Sequence, residues 1–332
     1  MKAIVQDAYG PPDVLRVGEV DKPVAGDDEV LVRVHAAGVD PGVWHITAGE
    51  PYLVRLMGLG LRAPRARVPG NDLAGRVEAI GRNVRQFQPG DEVYGRKPTG
   101  EGSFAEYVSV PAGRLAAKPA NLTFEQAAAV PVSACTALQG LRDRGQIVPT
   151  AKVLVIGAAG GVGTFAVQLA KAFDAEVTGV CSTTKLDLVG SLGADHVIDY
   201  TDDDFADGRR RYDLILDTAG RRPVTQLRRA LSLRGTLVIV GGEGGGRWLG
   251  GFDRQILRAP LLSVFVGQTL RALTATVRTR DLDVLRRLIE SGRVTPVIDR
   301  TYPLADAAEA IRSIHDGHAR GKVVLSVASG GD

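Results

Sequence analysis

Six residues at 158–163, Ala-Ala-Gly-Gly-Val-Gly, offer chemistry through the side chains they lack. With nothing beyond Cα at Gly160, Gly161 and Gly163, and with Val162 between them, backbone N–H groups can approach a bulky anion closely. The residues on either side decide which anion. An apolar β-type run at 153–156 enters the turn, and Phe165, Val167, Leu169 and Ala170 follow it at helical burial spacing. Strand, glycine turn and helix in that order bind a dinucleotide pyrophosphate: the helix N-terminus aims free N–H groups and a partial positive charge at the phosphates. Ala158 stands where G-x-G-x-x-G has its first glycine, a change that requires a negative φ there. Gly160 and Gly163 keep the positions where backbone approach and helix packing are most demanding.

The next strand, 175–180, ends in Cys181-Ser182-Thr183-Thr184-Lys185. An NAD site places a carboxylate near this strand end to accept from the ribose hydroxyls, yet the first acid here is Asp187. Hydroxyls and a lysine suit a 2′-phosphate, which a carboxylate would repel, so the sequence points to NADPH rather than NADH. A second reading stays open, in which Ser182 or Thr183 caps the following helix and Lys185 is solvated on it.

These motifs need elements to hold them. The 332 residues suffice for two domains with substantial cores, and 44% hydrophobic with 24% charged content is ordinary for a globular chain. The net charge of +3 is small and the basic residues are scattered, which excludes a nucleic-acid footprint. The opening MKAIVQDAYG reads as a strand start rather than a signal peptide, and no apolar stretch reaches membrane-spanning length. Cys135 and Cys181 cannot build a disulfide framework, which points to a reducing cytoplasm. Residues 1–120 carry short alternating strands (3–6, 29–36, 73–80, 91–94, 105–110) between Gly/Pro turns. From Thr123 the texture becomes βα: a helix over 124–145, then strands at 153–156, 176–180, 196–198, 214–217, 236–240 and 262–266. Amphipathic helices follow at 282–290 and 305–314, with a final strand at 322–327. A glycine-rich loop at 241–251 lies just past a strand end. Residues 51–68, apolar then basic, suit a lid over a lipophilic substrate, a membrane-touching segment, or a plain amphipathic loop.

Several separated segments, in order, carry a likeness to a known family: MKAIVQDAYGPPDVLRV, AAGVDPGVWHITAG, VPGNDLAGRVEAIGRNVRQFQPGDEVYG, SFAEYVSVP, the AAGGVG turn and GHARGKVVL. Over essentially its whole length the chain resembles the zinc-free medium-chain dehydrogenase/reductases, within them the NADPH:quinone oxidoreductase group. The resemblance implies an α/β Rossmann domain with a doubly wound parallel sheet (125–270) and a GroES-like β-rich catalytic domain (1–124 with 271–332). Cofactor and small-molecule substrate would lie in the cleft between them. It implies a homodimer built on the edge strand 262–266 of the Rossmann sheet. It places Thr136 beside the nicotinamide, although a mid-helix threonine can also bond back to its own helix. Ser182, Thr183, Lys185 and Tyr200 would surround the 2′-phosphate, while Thr218, Gly241, Phe265 and Val266 face the cofactor. Lys322 matches a cofactor-contacting position, or is a solvated strand residue.

In the zinc alcohol dehydrogenases of the wider superfamily, a cysteine and a His-Glu pair hold the catalytic ion. Here Asp40 and Asn71-Asp72 stand in those places, the structural cysteine cluster is missing, and His35, His45, His196, His315 and His318 have no metal-like spacing. The expectation is therefore a reaction without zinc. Without a Lewis acid, substrates that accept hydride readily are favoured: quinones first, then enones, alkenals or enoyl groups. A third reading is a non-enzymatic NADPH-binding protein. Asp40 matches a cleft position usually occupied by Asn; it either hydrogen-bonds loop backbone or acts as an acid of raised pKa. Tyr52 is the second catalytic candidate, able to orient a substrate oxygen or simply to fill a half-buried loop site.

Overall fold

The structure is a computed structural model, and it describes residues 1–52, 55–56, 60–240, 248, 266–317 and 319–327. The chain divides into two compact units, Met1–Cys135 with Val277–Gly292 and Pro296–Asp332, and Thr136–Thr276 with Arg293–Thr295. The first boundary falls eleven residues later than the 124–125 boundary implied by the family likeness, and it falls inside a helix.

Unit 1 is β-rich. Strands β1 (Lys2–Val5) and β2 (Arg16–Glu19) form a small antiparallel pair. The main sheet contains β3 (Glu29–Val39), β4 (Asp72–Ile80), β5 (Glu92–Arg96), β6 (Tyr107–Pro111) and β7 (Leu115–Ala117). It is completed by β14 (Ile298–Pro303) and β15 (Lys322–Ser326), in the order β14-β15-β3-β4-β5-β7, with β6 also paired to β3. The eleven-residue β3 is the hub. Val30, Val32 and Val34 alternate into the core, as the two-residue side-chain period requires, and meet Leu73, Val77, Val93, Val108, Val110 and Leu325 there. Helix α1 (Pro41–Ala48) follows β3 directly.

Unit 2 carries a parallel sheet of six strands among the described residues. It contains β8 (Lys152–Ile156), β9 (Glu176–Cys181), β10 (His196–Asp199), β11 (Tyr212–Asp217), β12 (Leu231–Ile239) and β13 (Thr269–Ala272), in the order β10-β9-β8-β11-β12-β13. All its described ladders are parallel. Val153, Leu154 and Val155 are buried, the continuous apolar run expected of a strand covered on both faces. This is the doubly wound Rossmann arrangement, with the chain reversing direction across the sheet beside β8.

The structure corrects several sequence expectations. The single helix over 124–145 is three pieces: α2 (Phe124–Ala128), α3 (Pro131–Leu138) and a π-helical end at Gln139–Arg144. Pro131 has no N–H to continue the α2 ladder and is tolerated only at a fresh helix start. The strand expected at 262–266 lies almost wholly outside the described residues, and Val266 is not in a strand. The edge position beside β12 is held by β13, seven residues further on. Strand β12 begins at Leu231 rather than 236, because Leu231 pairs with Tyr212 across a register shift in β11. No described helix is long and apolar enough to cross a membrane.

Candidate functional site

In unit 2 the glycine turn joins β8 to α4 (Gly161–Ala172), with Gly160 at the N-cap. The strained conformation belongs to Gly157, at φ +81°, so Ala158 is spared a positive φ and its methyl group is accommodated. The two motif glycines differ in kind. A Cβ on Gly163 would collide with the Gly157 carbonyl, so that position lets the helix pack on the turn. A Cβ on Gly160 would meet only Gly157 O, at 3.3 Å, so its other sides are open. The first helical hydrogen bond runs from Thr164 N–H to Gly160 O, at 2.9 Å. The N–H groups of Gly161, Val162 and Gly163 therefore precede the helical ladder and are available to an anion. The residues present fit a pyrophosphate. Thr218 acts on this turn from the end of β11: its hydroxyl donates to Ile156 O at 2.7 Å, bracing the turn.

Beyond β9, Ser182 precedes a single 3-10 turn, Thr183–Lys185, that leads into α5 (Leu186–Ser191). The Ser182 hydroxyl makes no capping bond, so the capping role considered for it is absent; the Lys185 N–H bonds the Ser182 carbonyl instead. Thr183 is engaged by an acid that the sequence reading passed over. Asp199, at the end of the neighbouring β10, bonds Thr183 and accepts from the Thr201 N–H and hydroxyl at 2.9 and 2.7 Å. Those hydrogen bonds hold its carboxyl below the usual carboxylate range. An ionised acid therefore does sit near this strand end, with Oδ1 taken up by protein donors and Oδ2 buried without a hydrogen-bond partner among the described residues. Tyr200 follows it, half exposed, with the Arg222 guanidinium carbon 6.0 Å from its ring centre.

Thr136, on α3, is buried; Gly241 and Phe265 lie outside the described residues.

In unit 1 the register gathers charged residues from three strands and from the N-cap of α1. Val323 pairs with Val39, Gly38 with Asp72, and Asp72 with Arg96. Asp72 and Arg96 are thus level with Gly38, and Asp40 and Lys322 lie two residues further along at the same end of the sheet; together they are the charged row of unit 1. Lys322 is only 2% exposed, which rules out the solvated-strand reading. Its ammonium stands 3.8 Å from the Asp72 carboxylate, beyond hydrogen-bond reach, and has no hydrogen-bond partner among the described residues. Asp72 is fully buried, and both its oxygens accept from Val132 N–H at the start of α3, at 3.1 and 3.2 Å. Burial pushes its pKa up to about 7; Asp40 adds to the rise, while Lys322, Arg96 and the Val132 N–H oppose it.

Asp40 resolves into two halves. Oδ1 accepts from Gly42 N–H at 2.8 Å and caps α1, so the backbone-bonding role is present. Oδ2 is buried with no hydrogen-bond partner among the described residues. Asp72 carries a raised pKa, although from sequence it stands only as a non-ligand of zinc. Among the described residues no group of three or more His, Cys, Asp or Glu could hold a metal ion.

Tyr52 is half-buried at the head of the 51–68 segment, of which 53–54 and 57–59 lie outside the described residues. Its ring faces the Arg55 guanidinium at 4.8 Å, and Arg55 also covers Tyr9 at 4.5 Å while donating to Gly49 O at 2.8 Å. The neighbouring Trp44 stacks on His315 at 4.3 Å and 9°, a packing contact. Arg96, Asp199, Arg55 and Arg222 were missed from sequence because they belong to no local motif, and Asp72 was named there only in another role. Their roles come from strand register and loop contact.

Comparison with known proteins agrees with this layout. Residues 26–120 match the model of the alcohol dehydrogenase GroES-like domain, and residues 192–325 that of the zinc-binding dehydrogenases. The chain is 34% identical to the mitochondrial NAD(P)H oxidoreductase RTN4IP1 of Bos taurus, over 98% of this chain and 89% of that one. It is 34% identical to the chloroplastic NADPH-dependent alkenal/one oxidoreductase of Arabidopsis thaliana, over 98% of this chain and 79% of that protein. The quinone oxidoreductase of Escherichia coli, solved in complex with NADPH, superposes with a TM-score of 0.83 at 25% identity, covering 98% of this chain and 100% of its own.

Proposed function

The chain belongs to the medium-chain dehydrogenase/reductase family of oxidoreductases, in its quinone oxidoreductase group, and from that premise we propose that it reduces quinones with NADPH and without a metal ion. The observation that carries the cofactor choice is the end of β9. Ser182 and Lys185 stand where a 2′-hydroxyl would need a carboxylate, and Asp199, on the neighbouring strand, has its Oδ1 taken up by Thr201. When bound, NADPH supplies a hydride from nicotinamide C4. The chain's own groups do the rest. The N–H groups of Gly161, Val162 and Gly163 hold the pyrophosphate; Ser182, Lys185 and Tyr200 hold the 2′-phosphate; Thr136 and Lys322 contact the cofactor further along. Tyr52 orients the acceptor by donating its hydroxyl to a carbonyl oxygen, and the unpartnered Oδ2 of Asp40 accepts from the hydroxyl that forms on the reduced product. The rate enhancement is then chiefly positioning.

Zinc is a poor fit to unit 1. Asp40, Asn71 and Asp72 offer no thiolate or imidazole, and an ammonium already stands 3.8 Å from Asp72. In this reading unit 1 is the catalytic domain and unit 2 the NADPH domain. The chain works as a homodimer in a reducing cytoplasm, with Cys135 and Cys181 both buried and outside any disulfide. A second reading, reduction of conjugated enals and enones, is favoured by the likeness to an alkenal/one oxidoreductase.

The test is NADPH and NADH oxidation with 1,4-benzoquinone, 9,10-phenanthrenequinone and small enals, beside metal analysis of the purified protein. Quinone turnover faster with NADPH is expected. Faster turnover of enals selects the second reading, and turnover that tracks near-stoichiometric zinc overturns the metal-free mechanism. Lys185→Glu is expected to raise the KM for NADPH by about tenfold or more and to leave that for NADH nearly unchanged. Equal effects would remove Lys185 from the phosphate site.

A further inference from the structure

We infer that Arg222 is a specificity-determining residue, its guanidinium completing the recognition of the adenosine 2′-phosphate opposite Tyr200. The inference rests on the reading of NADPH as cofactor and extends it to a residue outside the glycine motif and the β9 end.

Arg222 lies between β11 and α6 (Val224–Ala230). The chain is turned there by Gly220 at φ +66°, with its N–H bonded to Asp217 Oδ1 at 3.0 Å. The side chain leaves this turn and settles over two rings of the segment following β10: its guanidinium carbon is 6.0 Å from the Tyr200 ring centre and 5.9 Å from that of Phe205. Phe205 is buried in the sheet core and gives this contact a fixed floor; Tyr200 is 48% exposed and stands at the rim. A second tie, Gln226 Nε2 to Asp204 Oδ1 at 3.1 Å, fastens the start of α6 to the same segment. Strands β10 and β11 flank β9 and β8 in the sheet. The two connections that meet at Arg222 therefore arise on either side of the strands that end in Ser182 and in the glycine turn.

Charge then selects the ligand. Among the described residues no ion pair engages Arg222, in contrast to Arg209, which is paired with Asp207 at 3.2 Å. Asp199, held ionised by its threonines, is a standing negative charge beside the site of a phosphate that is itself close to doubly negative. Lys185 alone does not balance the two. A planar guanidinium, held over aromatic rings and keeping its N–H fork free of ion pairs, binds phosphate through two parallel hydrogen bonds. Such a group in this place favours the phosphorylated dinucleotide over the plain one.

The experiment measures dissociation constants of the full chain for NADPH, NADH, 2′,5′-ADP and 5′-AMP, in wild type, Arg222→Gln, Arg222→Lys and Arg221→Gln. Arg222→Gln is expected to weaken NADPH and 2′,5′-ADP by about tenfold or more, with NADH and AMP within about twofold of wild type. Arg222→Lys keeps the charge and recovers part of the loss. Arg221→Gln removes the same charge one residue away, on an exposed side chain, and leaves the preference intact. Equal weakening of all four ligands by Arg222→Gln would mean that the arginine supports the adenine or the local fold, and overturns the inference, as does an unchanged NADPH affinity or an equal effect of Arg221→Gln. A wild-type chain that binds NADH more tightly than NADPH defeats the cofactor reading itself. A wild type that prefers NADPH beside an unaffected Arg222→Gln defeats only this inference.

Discussion

The glycine turn of unit 2 and the charged row of unit 1 are built on opposite principles. The turn is made of backbone: Gly157 takes the strained φ, Gly163 yields its Cβ position to a carbonyl, and the N–H groups of 161–163 wait for a ligand. The row is made of side chains from three strands and the N-cap of α1, with two carboxylates and Lys322 buried beside the half-buried Arg96 and with polar atoms of Asp40, Arg96 and Lys322 lacking hydrogen-bond partners. A backbone site is specified by a few consecutive residues and changes little with pH. A buried side-chain site depends on long-range register, and its charge state is part of its structure.

The sharpest way to separate them is to remove one charge from the row. Lys322→Met leaves Asp72 buried without its nearest cation and is expected to cost about 3–5 kcal/mol, read as a large drop in the melting temperature. Removing both partners, in Lys322→Met with Asp72→Leu, is expected to recover much of that loss, because an apolar pair needs no compensation. A single variant that melts with the wild type would mean that the row is not electrostatically coupled.

The same acid gives a pH signature that the backbone site lacks. Asp72 has a folded-state pKa of about 7 against 3.8 for the ordinary group, so the native state binds its proton more tightly than the unfolded chain does. Its contribution to stability is therefore fully present below about pH 4 and is lost as pH rises towards 7, a span of at most about 4 kcal/mol. Asp195 and Asp199, whose pKa values are lowered, act in the opposite direction at acid pH, so the difference between two chains is the clean measurement. The melting temperature of Asp72→Asn should gain on that of the wild type between pH 5 and 8. Parallel curves would place the raised pKa elsewhere.

Gly163→Ala tests the backbone site. Its new Cβ meets the Gly157 carbonyl, which cannot move without distorting the turn, and the expected cost is about 1–3 kcal/mol together with loss of cofactor binding. Gly160→Ala meets only one atom at 3.3 Å; it should fold nearly as well as wild type and lose cofactor affinity instead. If the two variants behave alike, the division of labour within the turn is wrong.

This contrast also explains what could be read from the chain. The turn and its flanking strand and helix were legible because each of their constraints lies within about twenty consecutive residues. The hub strand β3 was legible because Val30, Val32 and Val34 alternate. Strand β13 was not: Thr269-Leu270-Arg271-Ala272 is half polar, as an edge strand can be, and carries no apolar run to mark it. The break at Pro131 was legible in principle, from a proline seven residues into a helical pattern. Asp72 and Arg96 were not, since nothing short of the β4–β5 register sets them side by side.

Asp40 belongs to both kinds of site, and it gives the smallest and most discriminating effect. Its Oδ1 caps α1 through Gly42 N–H, a backbone duty, while its Oδ2 belongs to the charged row. Asp40→Ala removes both and should cost about 1 kcal/mol of stability, the usual value of an N-cap. Asp40→Asn keeps an acceptor for Gly42 and converts the other atom into a donor, so it should melt close to the wild type. If Oδ2 accepts from the hydroxyl of the reduced product, quinone turnover by Asp40→Asn changes while the KM for NADPH stays put. If instead Asn and wild type turn over alike and only Ala is impaired, Asp40 is a helix cap and nothing more, and the acceptor-side chemistry must be sought at Tyr52.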